Sequence, residues 1–155
     1  MKIYFNKKLN YLIIISFFCI IDQLSKNYIN YNFHKLLNRD LIIFTIEFVR
    51  NYGAAYNLLN GSRLFLSFIS VISSIILFYF IFISENKFIN RYSFSFILSG
   101  CIGNGIDRIF NGYVIDFIKI KFINFPVFNI ADIVINIGAF ILIISYFRYK
   151  NKFDD

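Results

Sequence analysis

The sequence predicts an α-helical integral membrane protein with four transmembrane helices, cytoplasmic N and C termini, and a small β-rich extracytoplasmic cradle formed by the first outer loop. Three observations predict this fold. Of 155 residues, 58% are hydrophobic and only 16% are charged, and apolar segments of helical length recur four times. Basic residues crowd the flanks at alternate ends of these segments. Because one domain averages about 150 residues, we expect a single membrane-embedded domain, residues 1–155.

Each of the four apolar segments is close to the roughly 20 residues that cross about 30 Å of hydrocarbon as a helix. The first follows Lys7 and Lys8, as a secretory signal would. It continues through Asp22 to Lys26 without a small-residue cleavage site, so we expect it to be retained. The second is interrupted only by serines and Tyr79. The predicted spans are about 10–28, 64–83, 92–110 and 128–146.

The orientation follows from the density of Lys and Arg in the flanking segments, which favours the cytoplasmic side. Three regions are dense in these residues, namely the amino end, the second connection and the carboxyl end. They contain Lys2, Lys7, Lys8, Lys87, Arg91, Arg148, Lys150 and Lys152. The connections 29–63 and 111–127 then face outward. We interpret the basic residues as topology signals and expect no nucleic-acid binding.

Four aspartates lie at or beside ends of the predicted spans, and the predicted topology places all of them on the outer side. They are Asp22, Asp107, Asp116 and Asp132. An ionised side chain at the centre of a transmembrane helix costs roughly 2.5–3.5 kcal/mol on an insertion scale, so such residues usually indicate function. Their common side predicts a single acidic site.

Two helical faces carry polar side chains at helical spacing. The third span contains Gly100, Asn104 and Asp107, and the fourth contains Asn129, Asp132 and Asn136. Because polar faces are costly in lipid, we expect them to face each other inside the bundle. The i, i+4 spacing of Asp22 and Lys26 suits an ion pair on one helix face.

Asp116 belongs to an outer segment with a period of two. An extended backbone over 113–122 places Asp116 and Ile118 on one side and Phe117 and Lys119 on the other. Apolar neighbours and a second carboxylate would both raise the pKa of Asp116. These conditions favour two carboxylates that share one proton. Residues 41–50 also alternate, which predicts a short strand or hairpin beside the site, with a surface-packed loop as the alternative.

Five blocks of the sequence, in order and spacing, resemble those of the lipoprotein signal peptidases, also called signal peptidase II. The blocks are 22–26 (DQLSK), 51–56 (NYGAAY), 100–108 (GCIGNGIDR), 114–117 (VIDF) and 128–132 (FNIAD). The resemblance implies an aspartyl endopeptidase of the bacterial inner membrane, with its active site on the periplasmic side. Such an enzyme removes the signal peptide from a prolipoprotein just before a cysteine that carries diacylglycerol.

By the same resemblance, Asp116 and Asp132 are the catalytic pair. The residues implied to support the site or to contact substrate are Asp22, Lys26, Asn51, Gly53, Asn104, Asp107, Arg108 and Asn129. We interpret Asp22 and Asp107 as scaffold, with Lys26 and Arg108 as their respective cations. The implied partners are a lipidated prolipoprotein and membrane lipid, without a cofactor, a metal or an implied oligomer.

Two other classes of protein remain as alternatives. A small transporter or channel component also contains intramembrane acidic residues, but their location on one side does not suit a path across the membrane. Aspartates also bind Mg²⁺, so a metal-dependent lipid transferase is a second alternative.

The sequence gives little support to a catalytic serine or cysteine or to a zinc site. Ser25 and Lys26 are adjacent, so on a helix they point apart and do not suit a serine–lysine peptidase. His34 lies in a predicted polar loop and is the single histidine of the sequence. A zinc site with two histidine ligands is therefore excluded. Cys19 and Cys101 lie in different spans without CxxC spacing and are interpreted as buried thiols.

Overall fold

Four helices and a two-stranded sheet make up the computed structural model of the chain, which describes residues 2–36, 41–54, 58–59, 61–84 and 90–151. The elements in chain order are α1 (Lys2–Leu36), β1 (Phe44–Asn51), α2 (Arg63–Phe82), α3 (Arg91–Phe110), β2 (Val114–Ile120) and α4 (Ile130–Asn151). A helix therefore forms at each of the four predicted apolar segments.

Three helical segments are long and apolar enough to cross a membrane, namely Lys8–Asn32, Arg63–Phe82 and Ile130–Lys150. Helix α3 has 20 residues but buries polar side chains such as Asn104 and Asp107. It contacts all three other helices, so its neighbours shield these side chains from lipid. Membrane crossing by α3 and the cytoplasmic location of the termini stay predictions. Two basic residues used for orientation, Lys87 and Lys152, lie outside the described residues.

Helices α3 and α4 approach each other closely at two glycines. A Cβ added to Gly100 would collide with the carbonyl oxygen of Ala131 and would lie 2.5 Å from Cγ1 of Ile135. A Cβ on Gly138 would lie 2.7 Å from Cγ1 of Ile97. Both glycines thus allow the backbones to pack at short range, which fixes the relative position of the two polar faces.

The sheet contains β1 and β2 in antiparallel pairing, with Phe44 opposite Ile120 and Asn51 opposite Val114. The predicted strand in the first outer loop is confirmed by β1, and its partner β2 comes from the connection between α3 and α4, where an extended backbone was also predicted. A single strand would leave its backbone groups unpaired, whereas two segments satisfy each other. The pairing shifts between Ile46 and Val49.

The predicted alternation along β2 is incomplete. Asp116 lies beside Ile120 on the wall of a cavity, but Phe117, predicted on the lysine side, is buried. The reason is that α1 continues to Leu36, beyond the end predicted near residue 28. Its outer part packs Ile29 and Leu36 against Phe117. Both faces at the start of β2 are therefore covered.

The exposed surface of the helices is apolar, whereas charged side chains lie inside. Phe17, Phe68 and Phe140 are each more than half exposed, while Lys26 and Asp22 are 1% exposed. This distribution is the reverse of the pattern in water-soluble proteins. It fits a bundle whose exposed helix faces contact hydrocarbon.

Candidate active site

A short backbone pairing brings the start of α4 to β2. The amide of Phe128 donates to the carbonyl of Ile118 (3.0 Å), and the amide of Ile118 donates to the carbonyl of Phe128 (2.8 Å). Asp116 precedes Ile118 by two residues, and Asn129 follows Phe128 directly. The pairing therefore places Asn129 and the first turn of α4 beside Asp116.

Asn129 caps the amino end of α4 in a reciprocal arrangement with Asp132. Its Oδ1 accepts from the amide of Asp132 (3.0 Å), and Oδ2 of Asp132 accepts from the amide of Asn129 (3.2 Å). This is the geometry of a capping box, which satisfies two amides that a helix start leaves unpaired. The carboxylate of Asp132 is thus held in place at the amino end of α4.

Asp116 accepts hydrogen bonds from two neutral amide side chains. Asn129 Nδ2 donates to Oδ1 (2.6 Å), and Asn51 Nδ2 donates to Oδ2 (2.9 Å). The side chain is 2% exposed. Burial, reinforced by the charge of Asp132, raises the pKa of Asp116 to about 7, and the two hydrogen bonds oppose this rise. The protonated form of this carboxyl group is therefore accessible near neutral pH.

Asn104 connects this pair to a second group of charges. Its Nδ2 donates to Oδ1 of Asp132 (2.8 Å). Its Oδ1 accepts from Asn129 Nδ2 (3.1 Å) and from Lys26 Nζ (2.9 Å). Because the oxygen has two donors, the orientation of the Asn104 amide is fixed, and its nitrogen must face Asp132.

Lys26 forms ion pairs with two buried aspartates. Its Nζ lies 2.8 Å from Oδ2 of Asp22 and 3.1 Å from Oδ2 of Asp107. The predicted i, i+4 pair of Asp22 and Lys26 is confirmed. The amide of Ala131 donates to Oδ1 of Asp22 (2.9 Å), and the amide of Ile115 donates to Oδ2 of Asp107 (3.1 Å). These bonds tie α1 to α4 and α3 to β2.

Arg108 is not the cation that pairs with Asp107, although the sequence suggested this pairing. The cation that pairs with Asp107 is Lys26, whereas Nη2 of Arg108 donates to the carbonyl of Gly53 (3.2 Å). The buried Gly53 in turn donates its amide to Oδ1 of Asn51 (2.9 Å). Arg108 therefore supports the turn that orients Asn51 towards Asp116.

A cavity of about 1040 Å³ borders the two aspartates. Its polar lining includes Asn51, Asn104, Arg108, Asp116, Asp132 and Asn136. Its other wall is apolar and includes Ile120, Phe125, Phe128, Ile133, Ile137 and Phe140. Such a site combines a few polar groups for orientation with a large apolar surface.

Two residues of this region had no role in the sequence interpretation. Gln23 Nε2 donates to the carbonyl of Gly103 (3.0 Å) and to Oδ1 of Asp107 (3.2 Å). The only sequence signal for it was its place in the DQLSK block. Asn136 belonged to the predicted polar face of the fourth span, but no function was assigned to it.

A Cβ on Gly103 would lie 2.5 Å from Oδ2 of Asp22, so this glycine makes room for the carboxylate.

The remaining candidate residues lie elsewhere. His34 is exposed, as expected, but in the last turn of α1 instead of a loop. Cys19 and Cys101 are free, and both are half-buried where burial was expected. Among the described residues, no group of three or more His, Cys, Asp or Glu side chains is arranged to hold a metal ion.

Comparison with known proteins assigns the family. A family model described as Signal peptidase (SPase) II matches residues 14–148, which include the whole hydrogen-bonded network. The chain belongs to the signal peptidase II family. Family membership makes it a protease, and the apolar helices make it a multi-pass membrane protein.

Relatives and solved structures agree with this family. The lipoprotein signal peptidase of Microcystis aeruginosa is 39% identical over 139 residues, covering 86% of this chain and 88% of the relative. The lipoprotein signal peptidase of Lactobacillus johnsonii is 35% identical, and the match covers 96% of this chain and 97% of the relative. A solved structure described as a bacterial membrane enzyme superposes with a TM-score of 0.82 at 34% identity, covering 92% of this chain and 90% of that one. A second solved structure of the same description has a TM-score of 0.76 at 34% identity, and the match covers 88% of this chain and 92% of that one.

Proposed function

We propose that this member of the signal peptidase II family is an aspartyl endopeptidase that removes the signal peptide from diacylglyceryl-modified bacterial prolipoproteins. It cleaves on the amino side of the lipidated cysteine, from an active site on the periplasmic side of the inner membrane. The observation that carries the proposal is the placement of Asp116 and Asp132, which both contact Asn129 at the wall of one cavity. The names of the relatives support the substrate class.

The two carboxyl groups have complementary roles in the proposed reaction. Asp132, at the amino end of α4, is the base and removes a proton from water. The water oxygen attacks the scissile carbonyl, while protonated Asp116 donates its proton to the carbonyl oxygen. On collapse, Asp132 transfers the proton taken from water to the leaving nitrogen, and Asp116 recovers a proton from the hydroxyl group that becomes the new carbonyl. The pKa of about 7 at Asp116 supports this assignment.

Arg108 is placed to orient substrate. It lines the cavity, and its buried Nε has no hydrogen-bond partner among the described residues. A buried unpaired donor is unfavourable, so a carbonyl oxygen of the bound peptide is the partner that we propose. The apolar wall of the cavity would accept the acyl chains of the lipidated cysteine and the apolar part of the signal peptide.

The arrangement of apolar side chains gives less support to a transporter. A path for ions needs polar groups along its whole length. At the end of the bundle away from the sheet, Tyr11, Ile15, Ile81 and Leu98 form an apolar cluster. The polar network described above lies at the other end, which is where a site for cleavage beside the membrane surface is expected.

A cleavage assay in detergent or liposomes tests the proposal. Purified protein would be mixed with matched lipidated and unlipidated prolipoprotein, with and without a chelator. We expect cleavage of the lipidated form, before its cysteine, at a rate that the chelator does not change. Loss of cleavage with chelator would contradict a reaction carried out by Asp116 and Asp132 without a metal ion. Absence of cleavage of either substrate, by protein shown to be folded, would contradict the proposal.

A further inference from the structure

Asn136 is a polar side chain on the α4 wall of the cavity, which is apolar apart from Asn136 and Asp132. It is exposed and lies one helical turn beyond Asp132. Its neighbours on that wall include Ile133, Ile137 and Phe140. A few polar groups in an apolar pocket generally fix the orientation of a ligand, and the mechanism proposed above does not use this one.

One hydrogen bond determines which atom of Asn136 is available to a ligand. Nδ2 of Asn136 donates to the carbonyl oxygen of Asp132 (2.9 Å). Only the amide nitrogen can donate to a carbonyl, so the orientation of the side chain is unambiguous. Oδ1 then points away from the helix backbone, and none of the described residues donates to it. The cavity wall therefore presents a hydrogen-bond acceptor.

The chemistry of an acceptor limits the ligand to a group with an N–H or O–H. The diacylglyceryl group of the proposed substrate has two esters and a thioether, and thus no donor. Peptide bonds do have one. A peptide must be unwound near the bond that is cut, because a helix encloses its carbonyl groups in internal hydrogen bonds. The unwound residues then expose amide N–H groups in surroundings with little water, where each needs a partner.

The distance along α4 from Asp132 to Asn136 indicates where on the bound peptide this contact falls. One turn of helix rises about 5.4 Å, whereas an extended chain rises about 3.3 Å per residue. The step from Asp132 to Asn136 therefore corresponds to about two residues of substrate. Helix α4 runs away from the sheet, and in the proposed orientation the amino end of the signal peptide lies in the same direction. The contact thus falls on the amino side of the scissile bond.

We propose that Oδ1 of Asn136 accepts a hydrogen bond from a backbone amide of the signal peptide, about two residues before the scissile bond. Asn136 is then a substrate-positioning residue that holds the peptide in register with Asp116 and Asp132. The proposal rests on the proposed function, since it requires a peptide substrate. It assigns a role in this chain to a polar residue that the catalytic chemistry leaves unused.

An amide-to-ester scan of the substrate tests this contact. Synthetic diacylglyceryl lipopeptides would carry an ester in place of one amide at each of the three residues before the scissile bond. With the wild-type chain, we expect one position to lower kcat/KM about tenfold, as for a lost hydrogen bond that leaves unpaired an acceptor covered by the bound peptide. Asn136→Leu should lower kcat/KM on the all-amide lipopeptide by a similar factor, mainly through KM, with an unchanged pH profile.

The decisive comparison combines the two changes. In Asn136→Leu, the sensitive ester should cause no further loss, because the acceptor is already gone. Asn10→Leu is the matched control, since Asn10 is exposed on α1 and does not line the cavity, and it should keep the full ester penalty. A wild-type chain that cleaves all three ester substrates normally, or a penalty that persists in Asn136→Leu, overturns the contact alone. Failure to cleave the all-amide lipopeptide overturns the proposed function together with it.

Discussion

The network contains two groups of carboxylates that differ in their partners. In the charged cluster, Asp22 and Asp107 both pair with Lys26, and all three side chains are at most 2% exposed. In the cavity pair, Asp116 and Asp132 accept hydrogen bonds only from neutral amides among the described residues. Asn104 contacts both groups.

The difference shows how a protein can assign unequal roles to identical side chains. Asp22 and Asp107 each contact the cation of Lys26 and accept from a backbone amide of another element, and these contacts suit a structural role. A carboxylate with only neutral donors and a second carboxylate nearby retains a proton near neutral pH, which suits acid–base chemistry. The cavity also borders the second group alone.

The largest expected effect is on catalysis by the cavity pair. Asp116→Asn and Asp132→Asn each keep the size of the side chain but remove an acid or a base, so cleavage should fall by about 10²–10⁴-fold. Initial rates on a lipidated prolipoprotein measure this loss. Thermal unfolding in detergent serves as the control for folding. Normal cleavage by either variant would contradict its place in the pair.

The second effect is on stability through the charged cluster. Lys26→Met leaves Asp22 and Asp107 buried without their cation, so the free energy of unfolding should fall by about 3–5 kcal/mol. Denaturant unfolding in detergent measures it, with Lys121→Met at an exposed position as the control. Adding Asp22→Asn and Asp107→Asn to Lys26→Met should recover part of the loss. A single Lys26→Met variant as stable as the control would contradict the assignment.

A smaller effect concerns the pH dependence. Because Asp116 must be protonated, kcat/KM of the wild-type chain should fall as the pH rises through about 7. The hydrogen bond from Asn51 lowers the pKa of Asp116, so Asn51→Ala should raise this pKa and move the alkaline limb to higher pH. The pH–rate profile measures the shift. Asn32→Ala, on the surface of α1, is the control. A shift of the alkaline limb to lower pH in Asn51→Ala would contradict the expected rise in the pKa of Asp116.

The smallest effect is expected on the far side of the sheet. Lys119 forms a 2.7 Å ion pair with Glu47, and both side chains are partly exposed. Exposed pairs contribute about 0–1 kcal/mol, so Lys119→Ala should leave cleavage nearly unchanged. A loss similar to that of Asp116→Asn would mean that the faces of β2 are misassigned.

The sequence predicted which residues form the site better than it predicted the contacts between them. Apolar length and helical spacing located the four helices and the Asp22–Lys26 pair, and period-two alternation placed Asp116 inward. The pairing of Asp107 with Lys26 depends on how α1 and α3 pack, which no local period encodes. The pairing of Phe128 with Ile118 likewise joins two separate segments, and no period within either of them predicts it. The long end of α1 was missed because polar residues beyond residue 28 resemble a loop.

Infrared difference spectroscopy of the carboxyl groups tests the central claim most directly, because the C=O stretch of a protonated carboxyl differs from that of a carboxylate. For the wild-type chain in detergent, we predict a protonated carboxyl that titrates with a midpoint of about 7. This signal should disappear in Asp116→Asn and persist in Asp107→Asn. A signal that survives Asp116→Asn, or no protonated carboxyl at neutral pH, would contradict the assignment of the shared proton to the cavity pair.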